Sequence, residues 1–565
     1  MENRKITKLF KLAVQLLELH DAPVPKLRPY QNVVAALENT DAPLAGKTAE
    51  ELQQLNGIGK SMSAKIVEVV VRGSFAELDE LLANTPEGLL EVLKLKGIGP
   101  KKVRALWQEL EIDDLHKLME ACEAGKVAQL KGFGAKTQEN IKEAIAFLLA
   151  QEGKFLFAEV EETANELVEE ISKLKGAEQV SLVGDIRRYS DIISSIGMLV
   201  STKNTVALHQ SLSEIELLSP NLPASGPFAW RGNSSKTGSL VEVHFCAPEE
   251  FGEKQLQLTG SLAHLNEPVA GGQTLLQISR AEKGKSEEEI YASAGLAYVL
   301  PEMREGLGEV DLAAQNKLPK LVELSDLKGI LHNHSTYSDG AHTLEQMAIA
   351  CRDLGYEYFG IADHSKAAFY ASGMQEFTVK KQQEEIDQLN QKLAPFRIFK
   401  GIESDILLDG SLDYSDEILD TFDYVVASVH SPLNMDIVKA TDRLITAIRN
   451  PYTTILGHPT GRLLLRREGY PIDHKAVIDA CAEFGVVIEI NANPWRLDID
   501  WRWIPYCLEK GVMLSINPDA HSTGGLLDMR YGVLSGRKGG LTKEMTLNAL
   551  GREALEEFFK ARKKH

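Results

Sequence analysis

The chain has 565 residues, 44% of them hydrophobic and 25% charged, with 62 Lys+Arg against 81 Asp+Glu for a net charge of -19. At about 100 to 200 residues per domain this is too long for one core, so a string of modules is expected. Five cysteines without a CxxC pair argue against a disulfide framework and a thiolate zinc site, and no run of 18 apolar residues occurs; the expected setting is the reducing cytoplasm, away from membranes.

Charge divides unevenly, at -1 over residues 1–150, -11 over 151–324 and -7 over 325–565. Affinity for a polyanion comes from neutralised phosphates, so the first segment is the better platform for DNA and the acidic middle a poor one. Residues 1–150 read as short helices punctuated by LNGIGKSMSAKIVEVV at 55–70, LKGIGPKKVRALWQEL at 95–110 and LKGFGAKTQENIKEAI at 130–145. Each sets an apolar anchor before a tight glycine turn and a Lys-rich helix, the helix-hairpin-helix arrangement. Gly57, Gly59, Gly97, Gly99, Gly132 and Gly134 let main-chain N–H groups approach a phosphate, and Lys60, Lys101, Lys102 and Lys136 follow at the helix starts. Such contacts hold the DNA backbone without reading sequence. One GxG turn is equally compatible with a packing link between helices; three with lysines behind them favour DNA. The predicted domains here are 1–90 and 91–150.

From 151 the pattern becomes mixed α and β: a helix over FAEVEETANELVEEISKL, strands at 179–184 and 196–201, and the alternating SLVEVHFCAP. The stretch VGDIRRYSDIISSIGMLV, 183–200, has the outline of a nucleotidyltransferase strand, in which Asp-x-Asp puts two carboxylates on one face to grip metal ions together. Ser195 and Gly197 occupy those positions, and neither offers the hard anionic oxygen that Mg2+ requires. LTGSLAH and YASAGLAYVLPEMREGLGEVDLA follow, and AAQNKLPKLVELSD reads as a linker.

Over 325–565 short apolar strands alternate with helical segments: KGILHNH, EYFGIAD, FRIFKGIE, DYVVASV, TTILG, GVVIEIN and GVMLSI. Seven such units predict a parallel (β/α)7 barrel. Almost every strand ends in a metal-binding side chain: His332, His334 and Asp339, then His364, Glu403, His430, His458, and last Asp519 and His521. Active sites of parallel α/β barrels are built at the C-terminal rim, so these residues are expected to converge. Six imidazoles with three carboxylates favour Zn2+, Mn2+ or Fe2+ over Mg2+ or Ca2+. Nine ligands suffice for up to about three ions. Glu489, Asn491 and Asn493 at the sixth strand supply no assigned ligand. A clustered multi-metal site suits phosphate ester hydrolysis. Lys366, Arg462 and Arg496 are candidates for neutralising phosphoryl oxygens, each equally compatible with a structural salt bridge.

Along essentially its whole length the chain resembles the bacterial family X DNA polymerases with a C-terminal polymerase-and-histidinol-phosphatase (PHP) domain. LHNHSTYSDG, IADHS, GIESDIL, ASVHS, GHPTGRLLLRREGY, EINANPWRLDI and PDAHS carry the likeness in the barrel. It implies a palm over 151–255, a thumb over 256–318, and a trinuclear metal site made by the nine residues named. It also implies Mn2+-stimulated 3′-to-5′ exonuclease action and phosphate removal at DNA ends and abasic sites, with gapped or single-stranded 3′ ends as substrate. The palm departs from its family. Where GS-x-RRG and GDID are usual, this chain has Gly184-Asp185, Arg187 to Tyr189 as RRY, and SSIG at 194–197, with Glu242 for the third aspartate. Asp185 puts an anion where a serine would help hold a triphosphate, and Asp191 precedes the strand. Polymerase activity is therefore expected to be absent or very weak, the palm persisting as scaffold or DNA clamp. Two other readings remain: a phosphatase of a small metabolite such as histidinol phosphate, and a non-catalytic DNA-binding scaffold.

Overall fold

The structure, a computed structural model, describes residues 3–38, 44, 46–95 and 98–563. Gly97 of the second hairpin lies outside the described residues. The chain forms two compact units, Met1–Glu152 and Gly153–His565.

The first unit is helical around one apolar core that runs from Ile6 to Ile145. The three glycine turns lead into the helices Lys60–Arg72, Pro100–Leu110 and Ala135–Ala150, whose N-caps Gly59, Gly99 and Gly134 make no side-chain capping bond. Gly57 and Gly132 have φ of +92° and +88°, the left-handed conformation that glycine adopts without strain. The motif's Ile58 and Ile98 are buried, while Lys60, Lys101 and Lys136 are exposed. Lys102 Nζ lies 5.3 Å from the Phe133 ring centroid, linking the second hairpin to the third.

Among its described residues the second unit contains three sheets. Strands β1 (Phe155–Leu156) and β3 (Ile192–Ile193) make a small antiparallel pair. The sheet of the predicted palm consists of β2 (Gln179–Val183), β4 (Ser195–Ser201), β5 (Leu218–Pro220), β6 (Ala229–Ser234) and β7 (Leu240–Cys246), in the order β2-β4-β7-β6-β5. Its β4–β7 pair is parallel and the other pairs are antiparallel. Short helices between Phe251 and Ala314 follow, packed around Leu256, Leu275, Ile290, Tyr291 and Val299.

The third sheet is the parallel barrel: β8 (Gly329–Ile330), β9 (Tyr358–Ile361), β10 (Arg397–Asp405), β11 (Tyr424–Ser428), β12 (Thr453–Leu456), β13 (Val487–Asn491) and β14 (Leu514–Asn517), neighbours in sequence order. Runs such as Tyr424-Val425-Val426 and Val487-Ile488 are buried throughout, as both faces of such a sheet require. The seam between β8 and β14 is drawn together beyond the strands, where Asn333 bridges Ala520 and the His334 N–H donates to the Ala520 carbonyl at 2.9 Å. The floor is plugged. Tyr424 donates its hydroxyl to the carbonyls of Leu331 and Ile361, at 2.5 and 2.9 Å, and stacks on Phe559. Gly360 makes room for this ring, since a Cβ there would lie 2.3 Å from the Tyr424 hydroxyl. With the floor apolar and filled, the polar side chains collect at the C-terminal mouth.

The helix Met529–Lys538 braces the barrel against the palm and the helices after it. Arg537 pairs with Glu302 at 2.6 Å, and Lys538 pairs with Glu305 and donates to the Arg188 carbonyl at 3.0 Å. Among the described residues no helix is long and apolar enough to cross a membrane.

Candidate metal centre

The barrel strands deliver their polar termini to one point. His332 and His334 follow β8, His364 follows β9, Glu403 ends in β10, His430 follows β11, His458 follows β12, and Asp519 and His521 follow β14. Glu403 is at the centre: its Oε1 lies 3.0 Å from His458 Nε2, 3.2 Å from His430 Nε2 and 3.4 Å from His332 Nε2, and its Oε2 lies 2.9 Å from His364 Nδ1. Asp519 Oδ1 is 2.9 Å from His334 Nε2 and 3.7 Å from His332 Nε2. Asp339 closes the outer side, 3.3 Å from His521 Nε2 and 3.6 Å from His364 Nε2. All nine predicted ligands are brought together.

The donor atoms of all but His458 form three overlapping groups, His334/Asp339/His364/His521, His332/His334/Asp519 and His364/Glu403/His430, each with ligand atoms within 4.8 Å of one another. The residues fit divalent cations on a structural ground as well. His332 Nε2, His334 Nδ1, His364 Nδ1, His458 Nδ1 and Glu403 Oε2 are buried without a hydrogen-bond partner. Orphaned buried polar atoms are costly, and the four on His332, His334, His364 and Glu403, all members of these groups, are explained by cations that take their lone pairs. His364 Nδ1 and Glu403 Oε2 are 2.9 Å apart, yet neither makes a hydrogen bond.

The electrostatics agree. Burial works to raise the Glu403 carboxyl, but the imidazoles of His430, His332 and His364 outweigh it and hold it well below the usual range. Burial opposes Asp519 likewise, and His332, His334 and His521 hold it well down. Both therefore offer ionised oxygen. Burial disfavours the charged imidazoles, yet Glu403 and Asp405 bring His430 up to about 10, and Asp339 and Asp519 bring His521 up to about 9. His334 moves the other way, to about 3, because burial, His521 and His364 all disfavour its proton.

Several residues that the sequence reading passed over orient these ligands. Glu489, set aside above, is wholly buried, 3.0 Å from His332 Nδ1, and accepts the His458 main-chain N–H at 3.1 Å. Asp405 pairs with His430 Nδ1. Asp363 accepts from Ser335 N–H and Oγ at 2.7 Å, from Ser338 Oγ at 2.5 Å and from Gln382 at 2.6 Å, tying down the loop that carries Asp339. Asp498 accepts from the N–H groups of Thr460 and Gly461, at 2.9 and 3.0 Å, and steadies the segment after His458. Asp405 carried a readable signal, being two residues after Glu403 on one strand face.

The three candidate cations separate. Arg496 Nε is 3.5 Å from Asp519 Oδ2, at the cluster. Arg462 is committed to structure, donating to the Arg496 carbonyl at 2.9 Å, Asp500 at 2.5 Å and the Leu497 carbonyl, with palm Asp191 at 3.4 Å. Lys366 is turned to Glu376 at 3.4 Å and lies over the Tyr414 ring at 5.3 Å, outside the cluster.

In the palm, β4 and β7 pair with Gly197 opposite Glu242. Glu242 accepts from Arg231 Nε at 2.8 Å and Ser195 Oγ at 3.2 Å. A Cβ on Gly197 would lie 2.8 Å from the Val183 carbonyl oxygen. Arg187 makes a bidentate pair with Glu287 at 2.9 and 2.6 Å, and Arg188 pairs with Asp185 and, at 2.9 Å, with Glu305. Asp191 faces Arg462 rather than Glu242.

Comparison with known proteins matches a helix-hairpin-helix domain to residues 1–75, a SAM-like helix-hairpin-helix tandem to 89–146 and a PHP domain to 331–493. The DNA polymerase/3′-5′ exonuclease PolX of Bacillus subtilis (strain 168) is 34% identical over 571 residues, covering 99% of this chain and 100% of that protein. A probable phosphatase of Thermoanaerobacter sp. (strain X514) is 28% identical over 245 residues, 41% of this chain and 94% of that protein. A probable phosphatase of Caldanaerobacter subterraneus subsp. tengcongensis is 38% identical over 141 residues, 23% of this chain and 53% of that protein.

Proposed function

Because the chain belongs to the bacterial family X DNA polymerases with helix-hairpin-helix and PHP domains, we propose that its working centre is the barrel mouth, acting as a metal-dependent phosphoesterase on DNA. The reaction is 3′-to-5′ exonucleolytic cleavage and removal of blocked 3′ ends or abasic sites, on gapped or single-stranded DNA. One observation carries this reading: four buried ligand atoms without partners, on His332, His334, His364 and Glu403, converge where the Glu403 and Asp519 carboxylates are held ionised.

His332, His334, Asp339, His364, Glu403, His430, His458, Asp519 and His521 would hold Mn2+ or Zn2+, with Fe2+ also compatible, in up to about three positions. Such cations, when bound, neutralise phosphoryl charge and supply a reactive water near neutral pH. The protein's own part is orientation and charge. Glu489 and Asp405 fix the ring positions of His332 and His430, as carboxylates behind metal-binding imidazoles do. Arg496 adds positive charge at the rim, where phosphoryl oxygens gain negative charge during displacement. Arg462 holds the Arg496 segment, and Lys366 has no part in the chemistry. Lys60, Lys101, Lys102, Lys136 and the glycine turns grip the DNA backbone. The palm keeps its fold without polymerase chemistry: Arg231 sits on the Glu242 carboxylate, and Arg187 and Arg188 are engaged by Glu287, Glu305 and Asp185.

The test is release of a 3′ label from single-stranded and gapped oligonucleotides with Mn2+. Asp519→Ala and His334→Ala abolish release while leaving DNA binding nearly unchanged; release retained by both variants refutes the assignment. A second reading, phosphatase action on a small metabolite, draws on the barrel-only likeness to probable phosphatases. It leaves the DNA-type hairpins without a use, and faster turnover of histidinol phosphate than of a 3′-phosphorylated oligonucleotide would favour it.

A further inference from the structure

The segment after β9 holds two consecutive aromatic side chains in water at the rim of the barrel mouth. Phe369 is 85% exposed and Tyr370 60%. Single exposed apolar residues need no explanation, but two adjacent large rings on a well-tied turn are a cost that packing does not return. The backbone below them is fixed. Ala368, Ala371 and Met374 are buried, the Met374 N–H donates to the His364 carbonyl at 2.8 Å, and the Ala367 N–H donates to the Asp413 carboxylate at 2.6 Å. Gly373 packs so closely that a Cβ there would lie 2.0 Å from the Ser365 carbonyl oxygen.

The rings adjoin the cluster. The Tyr370 centroid is 6.5 Å from that of His364 and 6.4 Å from that of His430, and Phe369 stands edge-on to Tyr370 at 6.1 Å. A phosphodiester held by the ligands around Glu403 carries its base within one nucleotide's reach of these rings. We propose that Phe369 and Tyr370 form a stacking platform for the nucleobase next to the phosphodiester that is cut. The proposal rests on the DNA phosphoesterase reading above and deepens it. Every base presents a π face, so the platform tolerates any sequence. It favours ends that still bear a base over ends that have lost it.

The experiment uses the full-length, Mn2+-loaded protein and two oligonucleotides, one ending in a normal nucleotide and one in a tetrahydrofuran abasic residue. A third, ending in 2-aminopurine behind a non-hydrolysable phosphonate linkage, reports stacking by fluorescence quenching without turnover. In the Phe369→Ala/Tyr370→Ala double variant quenching is lost and KM for the base-bearing end rises about tenfold or more, with kcat and the abasic-end KM unchanged. Tyr370→Phe keeps the quenching. Equal quenching and equal KM in wild type and double variant overturn the platform. An equal loss on both ends also overturns it, marking the loop as structural. Quenching by a wild-type protein that cuts neither end keeps the platform and removes the nuclease reading. Cutting of both ends without quenching does the reverse.

Discussion

Glu489 lies 3.0 Å from Nδ1 of His332 in the wholly buried wall of the barrel mouth. The pair leaves Nε2 of His332 without a partner and aimed at Glu403 and Asp519. A carboxylate behind an imidazole sets its tautomer and raises its basicity, and losing that support costs about 10- to 100-fold in metal affinity or activity. Glu489→Gln is therefore expected to weaken Mn2+ binding by about that factor while the far-ultraviolet spectrum stays unchanged. Calorimetric titration with Mn2+ checks it; unchanged affinity would mean that Glu489 is packing alone.

Arg496 and Arg462 are predicted to fail differently. Arg496→Ala lowers kcat by about 100-fold with metal content intact, as expected for a cation that acts on developing phosphoryl charge. Arg462→Ala leaves Asp191 buried without its guanidinium, and Asp500 with that of Arg502 alone, and costs about 3 to 5 kcal/mol of stability. Thermal unfolding alongside steady-state kinetics separates the two. A stable Arg462→Ala protein with a selective kcat defect would reverse the assignment.

Primer extension with dNTPs and either Mg2+ or Mn2+ is expected to give no incorporation by the palm. Restoring an aspartate at Gly197 is not expected to rescue it, because the new Cβ would meet the Val183 carbonyl at 2.8 Å. Incorporation abolished by Glu242→Ala would show that a polymerase site persists.

Glu287 supplies a pH test of the palm's arginines. Burial works to raise its carboxyl, but Arg187 and Arg304 hold it down at about 2, against an ordinary value of 4.5. A depressed folded-state pKa gives stability that is present above about 4.5 and lost as pH falls toward 2. Glu287→Gln should be less stable than wild type at pH 7 by about 3 to 5 kcal/mol, with the gap narrowing below pH 4.5. A gap independent of pH would place the effect elsewhere.

The hairpin lysines are checked by salt dependence. Each of Lys60→Ala, Lys101→Ala, Lys102→Ala and Lys136→Ala that removes a phosphate contact weakens DNA binding across sequences. Each also reduces the slope of log K against log salt by about 0.7 to 0.9. Filter binding at several salt concentrations measures it, and unchanged slopes in all four variants would leave the glycine turns as packing links.

The convergence of the nine candidate ligands was legible because a parallel barrel forces strand ends to one rim, which makes side chains at regular sequence intervals readable as one cluster. Glu489 obeyed the same rule but was hidden, since an acid that orients a ligand is chemically the same as one that binds a metal. Lys366 misled for the opposite reason. It is two residues from His364, yet its long side chain turns away to Glu376. Arg462 sits in GHPTGR beside a ligand, and only the fold reveals that palm Asp191 and barrel Asp500 claim it. The sequence of the palm displayed missing acids at Ser195 and Gly197. That a Cβ at Gly197 would crowd the Val183 carbonyl is a property of β2 packed against β4, invisible in the residue string.

The most direct measurement is metal content and hydrolysis on one preparation. Protein saturated with Mn2+ and freed of excess ion should retain about three ions per chain and release a 3′ label from single-stranded DNA, with Asp519→Ala losing ions and release together. Protein that retains no ion after saturation, or an Asp519→Ala variant that releases label at the wild-type rate, would contradict the account.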